Sequence, residues 1–170
     1  VWSFFTIERF DWSVGLVGIS LAVYGACSAL VQVLLLPKLL SHYGEFNTAA
    51  IGLLIAIASL LFLGWVETAW LIFATMPIVA VAGVVGPSLQ GLMADQVPDN
   101  EQGELQGVFS SVVAISMIVS PLLMTQVFEA FTAPSAKLYM PGAPFMVAAA
   151  LALLSIIILL YNERTKQRRS

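Results

Sequence analysis

The chain has 170 residues, of which 59% are hydrophobic and 10% charged, with a net charge of -3 and a mean hydropathy of +0.93. Soluble domains carry about 25% charged residues, so this composition excludes one and points to a chain that lives in lipid. The single cysteine, Cys27, excludes an internal disulfide, a thiolate metal site and a CxxC redox motif.

In chain order, the first ten residues, VWSFFTIERF, read as the end of a hydrophobic segment. With no initiator methionine and no signal-peptide pattern, the chain is expected to be a fragment of a longer polytopic protein. Charges then divide it into five long uncharged runs, at 12–37, 46–66, 68–94, 105–128 and 138–162. Each reaches the roughly 20 residues that a helix needs to cross a bilayer core about 30 Å thick. The fold class expected is therefore an all-α membrane protein with five transmembrane helices.

Orientation follows from the basic residues. The tail at 163–170 holds Arg164, Lys166, Arg168 and Arg169, which places it in the cytoplasm. Alternation puts the connections at 38–45 and 95–104 inside with it, and five of the seven basic residues then lie inside. Trp12, Trp65, Trp70 and Tyr139 fall near predicted outer ends and Tyr161 near an inner one, where amphipathic rings anchor a span.

Polar residues separate the spans into two kinds. Ser20, Tyr24, Ser28 and Gln32 recur every four residues along the first, so they drift slowly along one face. The third carries Thr75, Ser88 and Gln90, and the fourth carries Ser110, Ser111, Ser116, Ser120, Thr125 and Gln126. The second and fifth are nearly bare, with Ser59 and Ser155 as their inner polar side chains. Polar groups are costly against lipid, so the first, third and fourth spans are expected to face a cavity or one another, with the others as outer scaffold. The opposing reading is that Ser and Thr hydroxyls bond back to carbonyls of their own helix. That reading suits Gln32, Gln90 and Gln126 less well, because an amide needs more partners. Pro37, Pro77, Pro87 and Pro121 fall in or at the ends of spans and predict kinks.

The stretch 83–107, GVVGPSLQGLMADQVPDNEQGELQG, joins the third and fourth spans as a tight antiparallel hairpin. Asp99 is placed to cap the fourth helix with Gln102 answering, and Glu101 and Glu104 suit its positive dipole end. Gly103, Gly107 and Ser111 recur at the four-residue spacing that lets helix backbones approach in lipid. Gly83, Gly86, Pro87, Asp95, Gly103 and Gly107 are accordingly assigned to packing and gating.

Several chemistries are not supported. There is no G-x-x-x-x-G-K-[ST] phosphate loop, and the lone histidine, His42, has no second ligand within helical reach. The spans hold no central charge, no Ser/His/Asp set can assemble at one depth, and no basic surface suits nucleic acid. No enzyme activity, cofactor or metal is expected.

QVPDNEQGELQG with the following SSVVAISMIVSPLL, and GISLAVYGACSALVQVLLLPKLLSHYGE near the start, resemble the C-terminal half of a major facilitator superfamily transporter, in the drug efflux branch that includes the tetracycline/proton antiporters. The resemblance implies that the five runs are helices eight to twelve of a twelve-helix fold, with 1–10 the end of helix seven. It implies a multi-pass protein of the bacterial inner membrane whose partners are a small-molecule substrate, protons, the bilayer and an N-terminal half. The function expected is proton-coupled efflux of small amphipathic compounds by alternating access; an importer of a metabolite, or a scaffold or receptor without flux, stands as the alternative. Tyr24, Ser28, Gln32, Gln90, Ser116 and Ser120 are the expected substrate-binding residues. The loop PKLLSHYGE looks like a degenerate copy of the family's cytoplasmic Gly-Asp-basic signature, keeping Lys38 and Gly44 but with Glu45 where a basic residue is usual. The second run also departs, with Ala56 near the position at which tetracycline antiporters carry an aspartate.

Overall fold

Two turns and a reversal organise the first half of the chain. The computed structural model describes residues 1–134, 136 and 138–167, with the side chains of Lys166 and Gln167 not described; Lys137, Arg168 and Arg169, on which part of the charge-bias reading rests, lie outside the described residues. Helix α1, Trp2–Phe10, stops at Asp11, whose left-handed conformation (φ 53°) turns its N–H back to the Ile7 carbonyl. Ser13 then opens α2, Val14–Leu30, its Oγ accepting from the Leu16 N–H at 3.3 Å.

α2 runs through a π-helical turn, Val31–Leu35, into α3, Leu36–Trp65. Pro37 supplies the cause: it lacks an N–H and its ring crowds the carbonyl four residues earlier, at Val33, so the widened turn falls where the ladder must open. The continuous stretch Val14–Trp65 is 52 residues, or roughly 78 Å if straight. It is not straight. Gly44 (φ 73°, ψ 174°) breaks α3 with a conformation that only glycine adopts without strain. Tyr24 and Leu60 would stand roughly 54 Å apart on an unbroken helix, yet they line one cavity. The chain therefore folds back at Gly44.

After the turn at 66–68 come α4, Ala69–Val81, a 3-10 turn, Ala82–Val84, and α5, Val85–Ala94. Here too a proline sets the irregularity, since Pro87 frees the Gly83 carbonyl inside that turn. α6, Gln102–Thr132, follows a short 3-10 turn, Asp99–Glu101, and α7 is Ala143–Gln167. The capping expected of Asp99 takes another form. Gln102 Nε2 donates to Asp99 Oδ1 at 3.3 Å, and neither side chain caps a backbone group. Among the described residues there is no strand.

The core gathers at the end predicted to face outward, where Phe5, Trp12, Val17, Leu63, Val66, Ile72 and Met76 pack together. Trp12 stacks on Phe73 with centroids 5.3 Å apart, so it is a core residue and not the interfacial anchor the sequence suggested. Trp65, Trp70, Tyr139 and Tyr161 are exposed, as interfacial anchors must be. The barest run turns out to be the most closely packed within this chain. On α3, Gly52 meets Val84 and Val85, and Gly64 meets Met146 and the Gly142 carbonyl. By contrast α6 has no buried residue, and its apolar side chains Val112, Ile115, Met117, Ile118 and Leu122 stand open.

Candidate functional site

α1, α2, α3, α4 and α7 enclose a cavity of about 260 Å³ in the predicted outer half of the bundle. Its wall is built by Trp2 from α1, Ser20, Leu21 and Tyr24 from α2, Leu60 and Leu63 from α3, Ile72, Met76 and Val79 from α4, and Phe145 from α7. The four-residue spacing of Ser20 and Tyr24 puts both on the α2 stripe that meets this space. The reversal at Gly44 brings Leu60 and Leu63 opposite them.

One polar anchor stands in this apolar wall. Trp2 Nε1 donates to Ser20 Oγ at 3.0 Å, and Ser20 Oγ donates to the Val17 carbonyl at 2.7 Å. Ser20 is fully buried, so its hydroxyl serves as relay between an indole and its own helix. Phe145 closes the same region, edge-on to both Trp2 (6.4 Å) and Phe5 (4.8 Å). Such edge-to-face contacts fix ring orientation. A mostly apolar space with few convergent polar groups is the usual form of a small-molecule site, although this one falls just below the usual range of about 300–1,000 Å³.

The expected site residues are not gathered together. Tyr24 lines the cavity and is partly exposed. Ser28 and Gln32 lie farther along the same α2 stripe, Gln32 within the π-helical turn. Gln90 is half-buried on α5. Ser116 and Ser120 are exposed on α6, away from the cavity, and the Ser116 hydroxyl donates to the Val112 carbonyl at 2.9 Å. Of the packing and gating set, Gly83, Gly86, Gly103 and Gly107 have nothing within 4 Å of a Cβ, while Pro87 breaks the ladder and Asp95 closes α5. Sequence reasoning missed Trp2, because a residue in a nine-residue helix at the start of the chain carries no periodic signal. It also missed Gly52, Gly64, Gly91 and Gly142, whose close approaches follow from tertiary packing and not from a four-residue repeat.

A second polar layer ties the ends predicted to face outward. Tyr139 Oη donates to Glu8 Oε1 at 2.9 Å, and Arg9 lies 3.5 Å from Glu67. The end of α1 is thereby held to both the α3–α4 and the α6–α7 connections.

Comparison with known proteins places this bundle. The family model described as Major Facilitator Superfamily matches residues 1–170. The chain is 32% identical to the class H tetracycline resistance protein of Pasteurella multocida, over 96% of this chain and 40% of that protein. It is 31% identical to the class C tetracycline resistance protein of Escherichia coli, over 92% of this chain and 38% of that protein. A more distant relative is hippocampus abundant transcript-like protein 1 of Rattus norvegicus, at 26% identity over 83% and 31%. The chain thus spans about 40% of the length of the first of these relatives. No solved structure matches it. With its apolar helices long enough to cross a bilayer and a family match over its whole length, this multi-pass membrane chain belongs to the Major Facilitator Superfamily.

Proposed function

We propose that the full-length protein is a secondary carrier that exports small amphipathic compounds in exchange for protons by alternating access, this chain supplying helices eight to twelve and the end of helix seven. The cavity between α1, α2 and α4 is the observation that supports the substrate class. Its apolar wall and single Trp2–Ser20 anchor suit a compact apolar or aromatic group. A sugar would need a dense set of donors and acceptors that the wall lacks. Tyr24, Ser28 and Gln32 extend the path along α2 toward the other face, and Gln90, Ser116 and Ser120 belong to the surface that the rest of the carrier completes. Two of the named relatives are tetracycline resistance proteins. This chain's apolar second run, with Ala56 where that group carries an aspartate, is the reason for a broader class of compound.

Everted membrane vesicles containing the full-length carrier, with a fluorescent amphipathic dye in the surrounding medium, test the reading. Under an imposed pH gradient, dye should move toward the face that corresponds to the cell exterior and the gradient should be consumed. Movement in the opposite direction would make the protein an importer, and dye binding without gradient-driven movement would make it a receptor; either result overturns the proposal.

A further inference from the structure

We propose that Glu45 and Asp95 form a proton-operated clasp between the ends of α3 and α5 predicted to face the cytoplasm, closed when the two carboxyls share a proton and parted when both are ionised. The hinge beside it is Gly44, the glycine whose positive φ reverses the chain immediately before Glu45. That reversal sets Glu45 in the first turn of the returning helix, outside the spanning stretch that starts at 46, where it is half-buried. Across from it, α5 presents Gly91. A Cβ at Gly91 would fall on the Glu45 carboxyl oxygen Oε1, so the bare backbone there is what lets the carboxyl seat against α5. Asp95 lies one helical turn beyond Gly91 on the same side of α5, which brings its carboxyl up to the one seated there.

A hydrogen bond between two carboxyls needs a proton, because an ionised carboxylate only accepts. Two neighbouring carboxylates do not both ionise readily. Burial, then the facing charge of Asp95 and then the hydrogen bond to it push Glu45 above the usual glutamate range. No cation offsets this: among the described residues neither carboxyl has a basic group within ion-pair distance, and the ion pair between Arg9 and Glu67 lies at the other end of the bundle. The connection that continues from Asp95 adds Asp99, Glu101 and Glu104, all acidic, at the same end. α4 and the turn Ala82–Val84 carry no charge, and Asp95 is the sole charged group that α5 brings. α7 carries Glu163 and Arg164 toward the same end, while α3 itself carries Lys38 and His42 ahead of the reversal.

The sign is fixed by the raised affinity. The closed clasp binds the proton more tightly than the parted one, so closure is fully favoured at pH below the ordinary glutamate range. It is lost as pH rises through the raised value of the pair. Acidification at this end would therefore draw the ends of α3 and α5 together. The clasp regulates packing within the half that carries it and does not depend on which compound is transported.

Spin labels on a Tyr43→Cys, Gln96→Cys variant of the full-length carrier, both sites exposed in this chain, report the separation directly. Between about pH 4 and about pH 8 the label distance should lengthen in one titration with its midpoint above that of a free glutamate. Glu45→Gln, whose amide can donate to Asp95 without a proton, should hold the short distance at every pH, and Asp95→Asn should do the same from the other side. Gly91→Ala should give the long distance throughout. A distance independent of pH in the parent, or a Glu45→Gln variant that titrates like the parent, overturns the clasp. The readout needs no transport, so loss of the efflux reading would leave it standing.

Discussion

Replacing Gly52 by Ala tests whether the bundle is assembled as described, because one added methyl has a known place to go. It would stand 2.7 Å from Val85 Cγ2 and 2.8 Å from Val84 Cγ2. Both neighbours are β-branched, with little rotamer freedom, and Val84 is fully buried, so neither can swing aside. Overpacking of this kind costs about 1–3 kcal/mol. The same substitution gains about 1 kcal/mol of helix propensity, which is why the bare change in stability is ambiguous. Gly25→Ala removes the ambiguity, since nothing lies within 4 Å of a Cβ at Gly25 and it takes the same propensity gain. The difference between the two variants isolates the clash. In purified full-length carrier, thermal unfolding should place Gly52→Ala about 1–3 kcal/mol below Gly25→Ala. Val84→Ala alone loses two buried methyls, about 2 kcal/mol, but should cost less in the Gly52→Ala background, where it relieves the clash. Equal stability of the two glycine variants, or strict additivity of Gly52→Ala with Val84→Ala, would refute the α3–α5 packing.

Three more expectations follow from the same geometry. Ser20→Ala leaves the Trp2 indole N–H without its acceptor beside an apolar cavity, and should cost about 1–3 kcal/mol of stability and weaken dye binding; unchanged binding would detach the cavity from the substrate path. Gly107 has open space around it in this chain, so Gly107→Leu should impair transport more than Val108→Leu only by blocking a helix from the rest of the carrier, and equal tolerance would make the glycine spacing incidental. Cysteines placed at 99 and 132 should differ toward an impermeant reagent on intact cells, with 132 labelled and 99 not; the reverse pattern would invert the topology.

The helical class and the ends of the apolar runs were legible because lipid enforces them: a charge or a polar connection has to mark each exit from the bilayer. Proline positions also carried real information, since the π-helical turn before Pro37 and the 3-10 turn before Pro87 fall where those rings interrupt the ladder. What the sequence could not show was which faces meet. In water a buried face is apolar and an exposed one polar, but in lipid both are apolar, so Gly52 against Val84 and Gly64 against Gly142 leave no hydrophobic pattern to read. The same loss of contrast made Trp12 look like an interfacial anchor when it is stacked in the core. Glu45 was visible as a departure from a resembling signature. That it seats on Gly91 beside Asp95 needed the reversal at Gly44 to be placed in space.

Polar content, which separated the spans on sequence, has to be weighed by where each hydroxyl is spent. On α6, Ser111, Ser116 and Thr125 donate to the carbonyls of Gly107, Val112 and Pro121, each four residues earlier. On α5 Ser88 does the same with Val84, and on α7, the bare run, Ser155 does so with Leu151. A hydroxyl already bonded within its own helix no longer penalises a lipid-facing position, so a count of Ser and Thr does not by itself find a pathway. Amides differ because they carry two donors and an acceptor. Asn47 and Gln96 each spend a donor on a carbonyl four residues back, and both are exposed, Asn47 at the very start of its run and Gln96 in a connection. Gln32, Gln90 and Gln126 lie inside the predicted spans instead, where water is scarce. Their remaining donors and acceptors are best met by other helices, a substrate or cavity water, which gives these three amides more weight as path markers than the serines around them.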